Sequence, residues 1–168
     1  MQLRPDTLLS DNKPLPLAGI KPSRLMKKKE WDEVRYAAYA ANGYHCWACG
    51  VPISKERGAQ MWQCHELYDV DWTNGVAEIA EYTGLCWKCH QFIHIDQLVG
   101  PYMRRKFKQS TVRDIVRHGW AVLRVNGIPL KREWKQWEQV AWEEWYLLWR
   151  GKKYYSDYKS LDEWKETK

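Results

Sequence analysis

The spacing of apolar residues changes several times along the chain, and each change predicts an element. Residues 1–25 are proline-rich without apolar periodicity, which predicts an extended arm, and Lys27, Lys28 and Lys29 follow it. From Glu30 to Asn42, the positions of Trp31, Val34, Tyr36, Ala37, Ala38 and Ala41 suit a helix. Asn42-Gly43 supplies the left-handed stop that helix C-termini favour. Ala59 to Leu67 reads as a strand, and Asp71-Trp72-Thr73-Asn74-Gly75 as a hairpin turn whose strongest signal is Asn-Gly. Val76 to Tyr82 returns as the second strand, which Gly84 is expected to break. Trp87 to Leu98 has the length and spacing of a helix, ended by Gly100-Pro101.

Beyond it, Arg104, Arg105, Lys106 and Lys108 form a basic connector. Ser110 is the expected N-cap of a helix burying Val112, Ile115, Val116, Val122 and Leu123, with Gly119 weakening its middle and Asn126-Gly127-Ile128-Pro129 ending it. From Arg132 to Arg150, the spacing of Trp134, Trp137, Ala141, Trp145, Leu148 and Trp149 predicts a tryptophan-heavy helix. Trp142 departs from that stripe and is a candidate for contact with a partner. The chain thus divides into a Pro-rich basic arm (1–29), a helix plus a strand-turn-strand-helix module (30–100), and a basic connector with a Trp-rich helical C-terminal part (101–168). The fold class expected is α+β.

Composition narrows the function. The 27 Lys and Arg exceed the 21 Asp and Glu, leaving +6, which points to a polyanionic partner, most economically nucleic acid. No run approaches the ~18 apolar residues of a membrane helix, so no membrane partner is expected. The N-terminus lacks an apolar signal core, so a reducing, cytoplasmic setting is expected. In that setting the five cysteines read as metal ligands rather than disulfides. The twelve Trp read chiefly as amphipathic core filling, and a base-stacking platform is the sharper alternative.

Four of the cysteines form two knuckles, Cys46-Trp47-Ala48-Cys49 and Cys86-Trp87-Lys88-Cys89, with 36 residues between them. Two residues between thiolates let both sulfurs face one ion from a tight turn, and two such turns complete a tetrahedron. A structural Zn2+ on Cys46, Cys49, Cys86 and Cys89 is therefore expected, clamping the hairpin region to the following helix. Between the knuckles lies Cys64-His65-Glu66, near the end of the first strand. Just past the second knuckle, His90 and His94 stand four residues apart, on one face of a helix, a common spacing for a pair of metal ligands.

These elements resemble the HNH endonucleases, the ββα-metal or His-Me finger group. The matching residues are Cys46, Cys49, His65, Cys86, Cys89 and His90. Small phage and bacterial HNH proteins are similar in more detail, through Cys64-His65-Glu66, the Cys86 to His94 helix, and Val125-Asn126-Gly127. The strict motif covers about 50 residues, and the looser similarity runs from Tyr44 to about Trp164. The resemblance implies a zinc-stabilised ββα-metal finger flanked by helices that hydrolyses phosphodiester bonds in nucleic acid, DNA before RNA. His65 would be the general base. His90 and His94 would hold a catalytic divalent ion such as Mg2+, Mn2+, Ni2+ or Zn2+. Glu66 is a further candidate for the catalytic site. The chain departs from the pattern at Cys64, a soft thiol just before the base, and in the second strand, which offers Glu78 and Glu81 instead of an Asn.

Two other readings compete. A finger without catalysis would bind DNA, or bind a host protein. A zinc-dependent nucleobase deaminase is imitated by Cys64-x-Glu66 with Cys86-x-x-Cys89, but no Pro precedes Cys86 and the first knuckle would have no role. Lys27, Lys28, Lys29, Arg104, Arg105, Lys106 and Lys108 are the foremost candidate phosphate contacts, beside Arg150, Lys152 and Lys153.

Overall fold

The computed structural model describes residues 1–10, 13–54, 60–95, 107–130 and 135–167. Its strands β1 (Ile53–Ser54), β2 (Gln60–Asp71), β3 (Val76–Cys86), β4 (Tyr146–Trp149) and β5 (Lys152–Tyr155) lie in that order in a five-stranded sheet. The described α-helices are α1 (Pro22–Leu25), α2 (Lys28–Ala40), α3 (Trp87–Ile93), α4 (Gln109–Val125) and α5 (Leu161–Glu166). The mixed α+β class expected from the sequence is what forms. Among the described residues, no helix is long and apolar enough to cross a membrane.

The β2–β3 hairpin forms around the expected turn. The Asp71 carboxylate accepts hydrogen bonds from the backbone N–H groups of Thr73 and Asn74, both at 3.0 Å, and from the Asn74 side-chain amide at 2.7 Å. Gly75 closes the turn at φ +69°. Gly84 does not break β3, which continues to Cys86. Its missing side chain instead admits α2, since a Cβ there would lie 2.9 Å from Tyr39 Cδ1 and 3.3 Å from the Ala38 carbonyl oxygen.

The chain gathers into two compact units. The first comprises Met1–Ser10, Val34–His65 and Tyr82–Arg132, and the second comprises Asp11–Glu33, Glu66–Glu81 and Glu133–Lys168. In the first, Leu8, Tyr39, Trp47, Leu85, Phe92, Ile93, Ile115 and Leu123 bury one core together with Cys46, Cys86 and Cys89. In the second, Leu17, Ile20, Ala77, Val140, Trp145 and Leu147 form another.

The extended N-terminal arm is not what the chain builds. Residues Pro5–Leu9 and Leu15–Leu17 form 3-10 turns, and α1 follows. Leu8 and Leu17 are fully buried in the two respective cores. Burying a leucine is worth about 1.5–3 kcal/mol, enough to override the local preference of a proline-rich segment for extension.

Over the described residues 135–150, the expected tryptophan-heavy helix does not form. Residues Trp137–Gln139 and Trp142–Glu144 are 3-10 turns, and β4 and β5 form an antiparallel hairpin instead. Its two-residue turn is Arg150-Gly151, with φ +52° and +74°. Those are the left-handed values that a type I′ turn requires, and they match the twist of the flanking strands. Trp142, the expected partner contact, is buried, and its indole N–H donates to the Tyr158 carbonyl at 2.8 Å. Trp134 lies outside the described residues.

Smaller differences concern ends. α2 begins at Lys28, two residues early, so Lys28 and Lys29 lie in its first turn, and Lys28 pairs with Asp32 at 2.8 Å. The second strand reaches Cys86 rather than Tyr82, and α3 ends at Ile93 with His94 as its C-cap. α4 starts at Gln109 after Lys108, not at an N-capping Ser110. Gly119 is buried against α3, where an added Cβ would lie 2.2 Å from Phe92 Cδ2 and 2.3 Å from its Cγ.

Two outcomes follow. Gly119→Ala gains about 1 kcal/mol of helix propensity but forces a methyl into the Phe92 ring, so the variant should unfold at lower urea concentration, with a net loss of about 1–3 kcal/mol. The Asp71 carboxyl is held below its ordinary value of 3.8, first by the Asn74 side-chain amide and then by the backbone N–H of Asn74. Its contribution to stability is therefore present above pH 3.8 and lost as pH falls through the lower folded value. An NMR titration of the Asp71 carboxyl carbon should show that lowered midpoint, and Asn74→Ala should raise it.

Candidate metal centre

Two side-chain clusters lie in the first unit. The sulfurs of Cys46, Cys49, Cys86 and Cys89 all fall within 4.8 Å of one another. The first knuckle is a closed turn in which Gly50 N–H donates to the Cys46 carbonyl at 2.9 Å and Cys46 N–H to that of Val51 at 2.8 Å. The second spans the junction of β3 and α3, with Cys86 as the last strand residue and the helix N-cap. The two are tied together where Trp47 N–H donates to the Gly84 carbonyl at 3.0 Å. All five cysteines are free.

The donor chemistry of this cluster fits zinc. Cys49 Sγ and Cys86 Sγ are 3.8 Å apart. Two sulfurs each about 2.3 Å from a tetrahedral ion would be separated by about 3.8 Å. Crowding sets the thiols against one another. Hydrogen bonding with Cys46, then with Cys86 and Cys89, holds Cys49 far below the ordinary thiol value. Hydrogen bonding with Cys46 pushes both Cys86 and Cys89 up. Four thiolates can coexist in this space only around a cation.

The second cluster joins His65, near the middle of β2, to His90 on α3 and His94 at its C-cap. One ligand nitrogen from each lies within 4.8 Å of the others. The ring centroids are 5.3 Å apart for His65–His90, 5.0 Å for His65–His94 and 4.9 Å for His90–His94. Both ring nitrogens of His65 and Nδ1 of His90 are buried without a hydrogen-bond partner among the described residues. Burial, then the imidazoles of His94 and His90, holds His65 well below the ordinary imidazole value. Burial, then His94, pushes His90 down to about 3. Neutral imidazoles with unpartnered lone pairs are the state that binds a divalent ion.

The remaining expected site residues fall elsewhere. Glu66 is outside the histidine cluster and belongs to the second unit, where burial raises its carboxyl and Lys13 opposes that rise. Cys64 packs beside the first core and takes no part in the cysteine cluster, so the deaminase donor set is not assembled. Lys27, Lys28 and Lys29 are exposed in the second unit, and Lys108 is exposed in the first. Arg104, Arg105 and Lys106 lie outside the described residues.

Two residues near these clusters carry no local sequence signal. The Thr83 hydroxyl, fully buried, donates to the His65 carbonyl at 3.3 Å. Hairpin arithmetic could have found it, because counting six residues outward from Asp71 and from Val76 reaches His65 and Tyr82, next to Thr83. His118 on α4 places Nε2 3.3 Å from Cys89 Sγ, a contact between residues 29 apart that no spacing rule reveals.

The chain matches no protein-family model, no curated protein and no solved structure. Its chemistry therefore has to be argued from the two clusters themselves.

Loss of a knuckle ligand should be far more damaging than loss of a histidine. Cys86→Ser is expected to lose the sulfur-bound zinc and much of the first unit's stability, because metal binding free energy is folding free energy. His90→Ala should keep that zinc and melt close to the parent. Zinc per chain and a calorimetric melt of each variant check this.

Proposed function

We propose that the protein is a metal-dependent HNH-type endonuclease that hydrolyses phosphodiester bonds in nucleic acid, with DNA as the first substrate to test. The observation that supports this reading is the gathering of His65, His90 and His94 beside a four-cysteine cluster, with buried ring nitrogens of His65 and His90 left without a hydrogen-bond partner among the described residues. A basic chain with a +6 charge suits a polyphosphate substrate.

His90 and His94 would hold the divalent ion. When bound, such an ion supplies positive charge for the scissile phosphate and the departing oxygen. The residues of the chain do the rest. His65 takes a proton from the attacking water at a ring nitrogen, and its burial keeps that nitrogen unprotonated at neutral pH. Thr83 fixes the backbone at His65, and with it the aim of the ring. The cysteine cluster orients the start of α3 and so sets where His90 and His94 project.

A second role for His65 is favoured by one observation. At 3% exposure it is the most enclosed of the three imidazoles, and one of its nitrogens lies within 4.8 Å of a ligand nitrogen of each of the other two. In that reading it is a third ligand, completing the three-histidine set of many catalytic metal sites.

Plasmid incubated with zinc-loaded protein and magnesium, manganese, nickel or zinc should be nicked or linearised, and His65→Ala should lower the rate at least about hundredfold, the scale of a lost general base. Metal content at the histidine site then separates the roles: a base leaves it intact in His65→Ala, and a ligand does not. Retention of DNA without cleavage under any metal would make the protein a binding module instead.

A further inference from the structure

The outer face of α4 holds a feature that the metal clusters do not use. Arg113, Arg117, Trp120 and Arg124 fall at i, i+4, i+7 and i+11, which aligns them in one stripe about 16 Å long. All four are exposed, and Trp120 is 52% accessible. The stripe borders an open groove of about 530 Å³ whose floor includes Val112, Val116 and Ala121. The opposite face of the same helix buries Ile115, Gly119 and Leu123 against the first core and α3.

Among the described residues, the charge on this stripe is only partly compensated. Among the described residues, Arg113 and Arg124 have no carboxylate partner, and Arg117 reaches only the exposed Asp114, at 3.8 Å. A guanidinium pairs with a phosphate through two parallel hydrogen bonds, so three on one line suit a phosphate backbone. A flat indole open to solvent between cations suits the face of an unpaired base, which a duplex keeps hidden in its stack.

We propose that this face of α4 is a docking surface for single-stranded DNA, with Arg113, Arg117 and Arg124 on phosphates and Trp120 stacked on a base. The proposal rests on the nucleic-acid reading above and extends it. α4 packs on α3, the helix of His90, so the stripe and the histidine cluster belong to the same unit. A strand held here is held by the body that contains the metal ligands.

The test uses the full-length, zinc-loaded chain and a fluorescently labelled 20-nucleotide oligo-dT, read by anisotropy at several salt concentrations. Trp120→Ala should weaken binding roughly 5- to 150-fold, the scale of one base–aromatic stack, with little change in salt dependence. The triple variant Arg113→Ala/Arg117→Ala/Arg124→Ala should weaken binding at least tenfold and flatten the salt slope by about two units. Both changes are on the solvent face, and thermal melts matching the parent verify that the fold is kept. Parental oligo-dT binding by both variants would overturn the proposal, as would no binding by the parent. Tighter binding of an Asp/Glu-rich peptide, lost in the same variants, would also overturn it by making the surface a protein-docking site. Plasmid cleavage, measured separately, reports the histidine cluster, so the two readings can fail independently.

Discussion

Four sulfurs crowded within 4.8 Å are the constraint on which the first unit depends. Cys46, Cys86 and Cys89 are among its most buried residues, so the same atoms that demand a cation are also its core. Without an ion, the thiols must divide protons among themselves, which is the source of their opposed shifts. A zinc ion there would remove that conflict and convert a crowded polar centre into the firmest part of the fold. The hydrophobic residues around it, Leu8, Trp47, Leu85, Phe92 and Ile115 among them, then pack on a fixed point rather than only on one another.

The geometry of the histidine cluster follows from that fixed point. Cys86 ends β3 and caps α3, so coordination of a metal there would set the direction in which the helix leaves the strand. One helical turn past Cys86 comes His90, and one more brings His94. On the strand side, Thr83 lies three residues before Cys86 and holds His65 by its carbonyl. Each imidazole is therefore within a few residues of a covalent or hydrogen-bonded link to the clamp. Gly119 adds to this by letting α4 approach the Phe92 ring of α3 more closely than any side chain would allow.

What could be read from the sequence was what local spacing encodes. Two C-x-x-C knuckles, an Asn-Gly turn and an i, i+4 histidine pair each carry their geometry within a few residues, and all stand in the structure. The hairpin then delivers His65 to the pair, as strand-turn-strand-helix order requires. Misreadings arose where a pattern fits two elements. The tryptophans of 134–149 match a helical stripe, yet Tyr146-Leu147-Leu148-Trp149 is also a strand, and the Arg150-Gly151 turn decides between them. The proline-rich N-terminus looked unanchored because a single leucine such as Leu8 or Leu17 carries no period. Gly84 read as a break and Gly119 as a weak point because close approach by a distant element is invisible locally. Most of the described tryptophans are buried or half-buried, Trp145 and Trp142 in the core, and among the described residues Trp120 on α4 is the exposed one.

Cobalt(II) titration of the reduced, metal-free chain tests the two-centre arrangement most directly, because thiolate and imidazole ligands differ in their absorption. The first equivalent should raise thiolate-to-metal charge-transfer bands from the soft four-sulfur site. A second equivalent should bind with no further rise in those bands, as expected for nitrogen ligands at His90 and His94. Saturation at one equivalent, or a second equivalent that also raises charge-transfer absorption, would contradict a separate histidine metal centre held in place by a four-cysteine clamp.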